Sequence, residues 1–316
     1  MAKIIFMGTP GFAVPSLKAL VAAGFKIAAV VTQPDRPVGR GRGKLQAPPV
    51  KVAAEEAGIE VLQPLKIRGE DFADKIRSLE PDFIAVVAYG KILPGEVLDI
   101  PRGGCVNLHA SLLPKYRGAA PINRAIINGD RQTGVCTILM DEGMDTGPVL
   151  LSETVEIKEG ETALDLTKRL SEIGAPLLVK TIGLLIEGKA APLKQDGKKA
   201  SYSPALKKED GLIDWSKGAA ELDCLIRGVY PWPGAYTVWK KQVLKIHDAT
   251  AIEDNAGDNL EGEVPGTVIK VNKKSFSVKC GRGALQVNEV QPENKKRLKA
   301  GDFIAGYRIS KGEALG

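Results

Sequence analysis

The stretch Gly-Cys-Val-Asn-Leu-His-Ala-Ser-Leu-Leu-Pro-Lys-Tyr-Arg-Gly, residues 104–118, joins a short apolar run to a loop that ends in a helical pattern. A continuous apolar run of this length is typical of a strand that is buried on both faces of a parallel sheet. Asn107 and His109 interrupt the run two residues apart, so in an extended chain their side chains point to the same side. We therefore expect two polar side chains to lie together where a buried strand ends.

Outward from this stretch, the first half of the chain alternates strand and helix patterns. Four further apolar runs predict strands: Lys3–Thr9, Lys26–Gln33, Asp82–Gly90 and Val135–Met140. Apolar spacings that suit helices separate or follow these runs: Phe12–Ala23, Pro49–Ala57, Gly69–Leu79, Ala119–Asn128 and Thr162–Glu187. This alternation predicts an α/β class with a doubly wound, mostly parallel sheet.

The second half has a different pattern. The segment Glu187–Ser203 is polar and basic without a clear period, which is typical of a linker. Short strand patterns with turn residues between them follow Lys207: Tyr236–Trp239, Leu244–Ala249, Gly266–Val271, Ser275–Lys279 and Ala284–Val290. Several short strands in about a hundred residues predict a small OB-like β-barrel. The expected organisation is a first domain over 1–188, a linker over 189–206 and a second domain over 207–316.

Length and composition limit the class of protein. The 316 residues suggest two domains, since single cores stop growing at about 250–300 residues. No apolar run reaches the roughly 18 residues that span a bilayer, and the short apolar start enters a strand pattern at once, so we expect a cytoplasmic protein without a membrane partner. Four widely spaced cysteines and two histidines predict reduced thiols and no structural metal site.

Basic residues are concentrated in two places. The stretch Lys270–Lys299 holds nine basic residues and only two acidic ones in a chain whose net charge is +6. An anionic partner and a merely solvated surface both remain open for it. The second place is the long glycine- and proline-rich loop Gln33–Pro49, whose cations are Arg36, Arg40, Arg42 and Lys44. Loops of this length are usually functional or disordered.

Asn107, His109 and Asp145 form the candidate catalytic trio. Asp145 lies between Gly143 and Gly147, after the predicted strand Val135–Met140. In open α/β sheets ligands bind at the carboxyl ends of strands, and we expect all three residues there. An amide, an imidazole and a carboxylate suit acyl transfer to an amine, because attack on the acyl carbon builds negative charge on oxygen. Asn107 can donate to that oxygen, His109 can stabilise it or relay the amine proton, and Asp145 can orient the imidazole.

Each member of the trio also has a purely structural interpretation. A histidine after a strand is often a hydrogen-bonded core residue, Asn107 could cap a turn, and Asp145 could form an Asx-turn. Their joint placement at neighbouring strand ends favours the catalytic interpretation. The other histidine, His247, lies in a predicted barrel strand without such a context, so we expect it to serve packing or the surface.

Several motifs together resemble the folate-dependent formyltransferases. They are Asn107-x-His109, Ser111-Leu112-Leu113-Pro114-x-Tyr116-Arg117-Gly118 and Asp145-Thr146-Gly147. The segment Phe6–Ala13, the basic loop and the second half of the chain resemble the branch of this family that formylates methionyl-tRNA. The resemblance covers essentially the whole chain, and no motif position departs from it.

The resemblance implies a Rossmann-like catalytic domain, with Asn107, His109 and Asp145 as catalytic residues and 10-formyltetrahydrofolate as co-substrate. Two segments would border the folate, with the residues Ser111, Leu112, Leu113, Pro114, Val86, Tyr89 and Gly90. The partner would be initiator methionyl-tRNA, contacted by Arg36, Arg40, Arg42 and Lys44 and by the second domain over 207–316, which would bind tRNA. The family also suggests a monomer.

Several other functions are alternatives to formylation of methionyl-tRNA. The same chemistry could act on another amine, such as glycinamide ribonucleotide or a nucleotide sugar, or could hydrolyse 10-formyltetrahydrofolate. A non-catalytic RNA-binding protein would leave the trio unexplained. A nicotinamide oxidoreductase does not fit, because the sequence after the first strand has Gly8 and Gly11 but no Gly-x-Gly-x-x-Gly.

Overall fold

The computed structural model describes residues 2–37, 45–252 and 262–316. The chain divides into two compact units. The first unit comprises Met1–Pro121, Gln132–Glu156 and Thr167–Ser203, and the second comprises Ile122–Arg131, Ile157–Leu166 and Pro204–Gly316. The domain bounds expected from the sequence, 1–188 and 207–316, stay a prediction.

The strands of the first unit follow the apolar runs, with short additions. They are β1 Lys3–Gly8, β2 Lys26–Val31, β3 Arg36–Pro37, β4 Leu45–Gln46, β5 Val61–Leu62, β6 Phe83–Val87, β7 Cys105–His109, β8 Arg117–Gly118, β9 Gln132–Leu139, β10 Val149–Glu156 and β11 Tyr202–Ser203. The helices of the chain are α1 Val14–Ala22, α2 Pro49–Glu56, α3 Glu70–Ser78, α4 Gly95–Leu98, α5 Pro121–Ile127, α6 Ala163–Ile186, α7 Ala219–Gly228 and α8 Ala300–Tyr307. Among the described helices, none combines the length and apolar character that a membrane span requires.

The main sheet of the first unit has the strand order β10-β9-β7-β6-β1-β2-β5. The strands from β5 to β7 are parallel, which confirms the predicted class. The run Val135–Met140, expected as a parallel strand, instead lies in β9, which is antiparallel to β7. In an antiparallel pair the carboxyl end of one strand lies beside the amino end of its neighbour.

Helices cover both faces of this sheet, and β7 contributes to both. Cys105 packs in the buried cluster that α3 and α4 form with β1 and β6. Leu108 points to the other face, where a Cβ on Gly174 of α6 would come within 2.6 Å of it. Because side chains alternate along a strand, Asn107 and His109 share the face of Cys105.

The helix α3 illustrates how the local sequence sets an element. Its apolar residues Phe72 and Ile76 are four apart and buried on one face. Acidic residues occupy its first turn and basic residues its last, which suits the helix dipole. Gly69, at φ 104°, supplies the left-handed residue from which the helix begins.

The segment expected as a linker has ordered structure against the first unit. Leu193 exchanges two backbone hydrogen bonds of 2.8 Å with Val149 at the start of β10. The strand β11 pairs in parallel with β8, with Tyr202 opposite Arg117. The sequence pattern does not predict this structure, because the segment is held by hydrogen bonds to distant parts of the chain rather than by a periodic apolar face.

The second unit is built on an antiparallel sheet. Its strands are β12 Ala235–Trp239, β13 Gln242–Ile252, β14 Val268–Val271, β15 Phe276–Lys279, β16 Ala284–Pro292 and β17 Leu298–Lys299. Their order is β12-β13-β16-β15-β14, and β17 pairs with β16. The amide of Leu315 donates to Gly266 beside β14, and that of Gly316 donates to Val238 in β12. This connection between the two edge strands agrees with the small barrel that the sequence predicts.

The core of the second unit includes a helix that the strand patterns do not predict. Phe303 of α8 is fully buried, stacks on Tyr307 at 4.8 Å, and meets Trp239 edge-on at 5.2 Å. We expect Phe303→Ala to lower the free energy of unfolding by about 3–5 kcal/mol, since it leaves a large cavity. Urea denaturation followed by tryptophan fluorescence would measure this, because all three tryptophans belong to the second unit.

The control for that measurement is Val264→Ala, which removes an apolar side chain that is 69% exposed. This variant should stay within about 0.5 kcal/mol of the parent protein. Equal losses from the two variants would mean that α8 does not hold the core together.

Candidate active site

The side chains of Asn107, His109 and Asp145 come together on one face of the sheet. Oδ1 of Asp145 lies 3.4 Å from Nδ2 of Asn107 and 3.6 Å from Nδ1 of His109. The His109 side chain is 7% exposed and that of Asp145 16% exposed, so the contact between the two side chains is largely shielded from solvent. The same-side placement of Asn107 and His109 that the spacing predicts is present.

Asp145 reaches this position by a different route from the one expected. Leu139, at the carboxyl end of β9, pairs with Val106 near the amino end of β7, so this strand end is not on the His109 side. The expectation that all three residues follow carboxyl ends on one edge was therefore wrong for Asp145. The connection from β9 to β10 folds back instead and carries Asp145 to Asn107 and His109.

That connection needs unusual backbone conformations. Asp145 has φ 54°, in the left-handed region that aspartate tolerates better than most residues. A Cβ on Gly147 would come within 1.8 Å of the carbonyl oxygen of Leu139, so only glycine fits there. The glycine-flanked carboxylate in the sequence thus has a steric origin.

The loop after β7 supplies further contacts to the trio. The amide of Gly118 donates to Oδ2 of Asp145 at 2.8 Å, and Nε2 of His109 lies 2.9 Å from the carbonyl oxygen of Tyr116. A carbonyl oxygen can only accept, so Nε2 is the protonated donor in this contact. Tyr116 and Gly118 both have positive φ, 60° and 112°, which bends the loop back over His109.

Serine hydroxyls hold this loop in place. Ser111 donates to the carbonyl oxygen of Lys115 at 2.6 Å within the loop. Ser201 accepts from the amide of Tyr116 at 2.9 Å, and Ser203 donates to the carbonyl oxygens of Tyr116 and Arg117, each at 3.1 Å. Ser201 and Ser203 were not predicted from the sequence, because no periodic or motif signal marks the segment that contains them.

The residues expected to border a folate lie on β6 or shortly after the ends of β6 and β7. Val86 of β6 pairs in register with Asn107, and the segment from Ser111 to Pro114 begins two residues after His109. Leu112, Leu113 and Pro114 are half-buried and Gly90 is exposed, whereas Val86, Tyr89 and Ser111 are buried. Burial raises the pKa of Tyr89 to about 12, and its hydroxyl has no hydrogen-bond partner among the described residues. Folate contacts by these residues stay a prediction.

Only one of the four cations expected to contact tRNA belongs to the described part of the basic loop. Arg36 is exposed in β3 and pairs with Gln46 of β4. Arg40, Arg42 and Lys44 lie outside the described residues. Just before Arg36, Asp35 accepts from Gln63 at 2.7 Å and pairs with Lys51 at 2.9 Å. The hydrogen bond from Gln63 has the larger effect and that from Lys51 the smaller one, and together they hold the pKa of the Asp35 carboxyl below its usual value.

In the second unit, the cations of the stretch Lys270–Lys299 differ in their environment. Lys279 is buried in β15, so it does not belong to a surface for a partner. Arg297 and Lys299 pair with Glu289, whose pKa is lowered by Lys299 first and then by Arg297. The remaining cations of the stretch are exposed: Lys270, Lys273, Lys274, Arg282, Lys295 and Lys296.

His247 has the packing role expected for it. Its Nε2 lies 3.0 Å from Oε1 of Gln291, and its ring meets Tyr230 edge-on at 6.3 Å. Burial lowers the pKa of His247. Among the residues that the structure describes, no group of three or more His, Cys, Asp or Glu side chains could hold a metal ion.

Comparisons with known proteins agree on one family for both units. Residues 2–182 match the family described as Formyl transferase, and residues 205–308 match Formyl transferase, C-terminal domain. Methionyl-tRNA formyltransferase of Citrifermentans bemidjiense is 49% identical over 314 residues, covering 99% of this chain and 96% of that protein. Methionyl-tRNA formyltransferase of Geotalea uraniireducens is 51% identical over 314 residues, covering 99% of this chain and 98% of that protein.

Among solved structures, the N-formyltransferase from Helicobacter canadensis, in complex with folinic acid and dTDP-3-aminofucose, has a similar fold. The TM-score is 0.66 at 20% identity, with 92% of this chain and 100% of that chain covered. Identity this low shows likeness of fold alone.

The thiols near the site should not be reactive. Burial raises the pKa of Cys105 and of Cys136, each to about 12, and Cys136 pairs with His109 across the sheet. At pH 8 about 10⁻⁴ of such a thiol is thiolate, which is the reactive form. We expect iodoacetamide to leave both unmodified in the native protein, as measured by peptide mass spectrometry.

The control is the same reaction in denaturant, where both thiols should be alkylated. Rapid alkylation of native Cys136 would contradict a closed sheet beside His109. It would also make Cys136 a candidate nucleophile, which a mechanism based on the trio does not require.

Proposed function

The chain belongs to the formyl transferase family, and on that premise we propose that it transfers a formyl group from 10-formyltetrahydrofolate to the α-amino group of initiator methionyl-tRNA. It is an enzyme, a one-carbon group transferase. The observation that carries the choice of acceptor is identity near 50% over 99% of the chain to proteins named for that reaction. The match extends through both units, so it is not limited to the part that any formyl transfer requires.

The chemistry needs an acyl donor, an amine and a way to stabilise charge on oxygen. When bound, 10-formyltetrahydrofolate supplies the formyl carbon. Asn107 carries two amide hydrogens, and Asp145 lies on one side of this amide at 3.4 Å. We assign the other hydrogen to the formyl oxygen, which becomes negative as the amine attacks. A fixed donor at this position lowers the barrier because it needs no reorganisation during the reaction.

His109 acts as a second donor to the same oxygen. Its Nε2 donates to the carbonyl of Tyr116 in the free protein, so this nitrogen already carries a proton. With substrate bound, the N–H group of Nε2 donates its hydrogen bond to the formyl oxygen instead of the carbonyl oxygen of Tyr116, because the formyl oxygen becomes more negative. The carboxylate of Asp145, beside Nδ1, orients the ring and accepts the proton that the attacking amine loses. That proton passes to the folate nitrogen as its bond to the formyl carbon breaks, which leaves the formylated amine and tetrahydrofolate.

The residues beside the trio suit the chemistry of a folate. A folate joins a flat ring with hydrogen-bonding edges to a charged tail. Leu112, Leu113 and Pro114 offer half-buried apolar surface, and Ala88 and Gly90, on either side of the buried Tyr89, are exposed where β6 ends. Sites for small molecules are mainly apolar with a few polar groups that orient the ligand, as here.

Two groups of cations suit a polyanionic partner. One is Arg36, Arg40, Arg42 and Lys44 in the sequence of the basic loop, and the other is the exposed lysines and arginine of the second unit. Contacts of such residues with phosphates release counterions, so binding weakens as salt increases. We infer that both groups bind tRNA, that the enzyme acts as a monomer, and that it works in the cytoplasm, where charged tRNA is used.

One assay distinguishes the proposed function from its rivals. The protein is incubated with 10-formyltetrahydrofolate and charged initiator tRNA, and formylmethionine is measured after deacylation. We expect formylation that slows at high salt through a higher KM for tRNA. Release of formate without formylmethionine would indicate a hydrolase, and transfer only to a small amine would indicate a different formyl acceptor. Binding of tRNA without either reaction would indicate an RNA-binding protein.

The trio has its own prediction. Asn107→Ala should lower kcat by about 10²–10³, the usual cost of removing one donor to a developing oxyanion. KM for both substrates should change much less, because the contact strengthens only as charge develops on the oxygen. Steady-state kinetics of the formylation reaction would measure both constants.

The matched control is Asn288→Ala, which removes an asparagine side chain from β16 in the sheet of the second unit. Its kcat should equal that of the parent. A near-normal kcat in Asn107→Ala would remove Asn107 from the proposed mechanism.

A further inference from the structure

The amide of Gln195 makes contacts with two parts of the site at once. Its Nε2 donates to the carbonyl oxygens of Asp145 at 2.8 Å and Gly147 at 2.7 Å. Its Oε1 accepts from Arg117, at 2.8 Å from Nη2 and 3.2 Å from Nε. A glutamine amide has two donor hydrogens and an oxygen with two lone pairs, so its whole capacity is used.

The first contact fixes the backbone that follows a strained position. Asp145 is in the left-handed region, and the surrounding structure must keep it there. By holding the carbonyls of residues 145 and 147 together, Gln195 sets the direction in which the Asp145 side chain leaves the backbone. That direction brings Oδ1 to Asn107 and His109.

The second contact fixes the strand that donates to the same carboxylate. Arg117 is buried, and the residue after it, Gly118, donates its amide to Oδ2 of Asp145. The guanidinium offers two parallel N–H groups, and the oxygen of Gln195 receives both. Gln195 therefore ties the backbone of Asp145 to the neighbour of its hydrogen-bond donor.

Gln195 is itself held from both sides along the chain. Leu193 forms its two-bond bridge with Val149, and Asp196 caps the turn after it by accepting from the amide of Lys198 at 3.0 Å. Residue 195 thus has little freedom to follow the loop if that loop moves. A side chain fixed in this way can act as a template for the loop.

We propose that Gln195 is a positioning residue for the formyl transfer, which keeps the carboxylate of Asp145 aimed at Asn107 and His109. It does not touch the reacting atoms. The inference rests on the proposed function for its effect on rate, but its effect on Asp145 is independent of any substrate.

The decisive variant is Gln195→Glu, which keeps the size of the side chain. Glutamate can still accept from Arg117, but it cannot donate to the carbonyls of Asp145 and Gly147 and instead repels them. We expect kcat for formylation to fall by roughly 10–100-fold, the usual cost of losing a group that orients a functional residue. KM for the folate and for tRNA should stay close to the parent values.

The second variant is Gln195→Ala, which removes both sets of contacts. Its kcat should fall at least as far as that of Gln195→Glu. The control is Gln132→Glu, which makes the same chemical change at an exposed position at the start of β9. Its kcat should match the parent value.

A spectroscopic measurement reports on Asp145 directly and needs no substrate. The amide proton of Gly118, which donates to the carboxylate of Asp145, should shift upfield in the ¹H–¹⁵N spectrum of both Gln195 variants, and Asp145→Asn gives the reference shift. If the parent protein forms no formylmethionine but the Gly118 signal moves, the proposed function fails and the positioning role stands.

Three results would overturn the proposal. The first is an unchanged Gly118 signal with parent-like kcat in Gln195→Glu. The second is unfolding of both Gln195 variants, and the third is equal changes in kcat and in both KM values without a Gly118 shift. Any of these would make Gln195 a purely structural residue.

Discussion

The carboxylate of Asp145 is the point on which the geometry of the site depends. One oxygen faces Asn107 and His109, and the other accepts from the amide of Gly118. A charged group that is largely shielded from water costs several kcal/mol unless donors surround it. The N–H groups around it offset that cost, so the donors and the carboxylate hold one another in place.

Much of the surrounding architecture serves to bring this carboxylate to β7. Because β9 is antiparallel to β7, its carboxyl end lies beside the amino end of β7, away from His109. The connection to β10 must therefore fold back. A left-handed Asp145 and a glycine at position 147 permit the return. The loop after β7 then closes over His109 from the other side, tied by Ser201 and Ser203.

Some of this could be predicted from sequence because it depends on local patterns. Continuous apolar runs predicted the buried strands, and two-residue spacing placed Asn107 and His109 on one face. Strand direction was not predictable for β9, since an apolar run reads the same in a parallel or an antiparallel pair. The contacts of Gln195 were not predictable either, because they join distant parts of the chain through polar side chains without period. The burial of Lys279 was also not predicted, because a charged side chain is usually exposed.

The central claim is that His109 and Asp145 act as one unit, and a double-mutant cycle tests it most directly. The rate of methionyl-tRNA formylation at saturating folate would be measured for the parent, His109→Ala, Asp145→Ala and the double variant. Residues that act as a unit are strongly non-additive. The double variant should therefore be about as slow as the slower single variant. Losses that multiply, so that the double variant is slower by the product of the two single effects, would show that the residues act independently and would contradict the account.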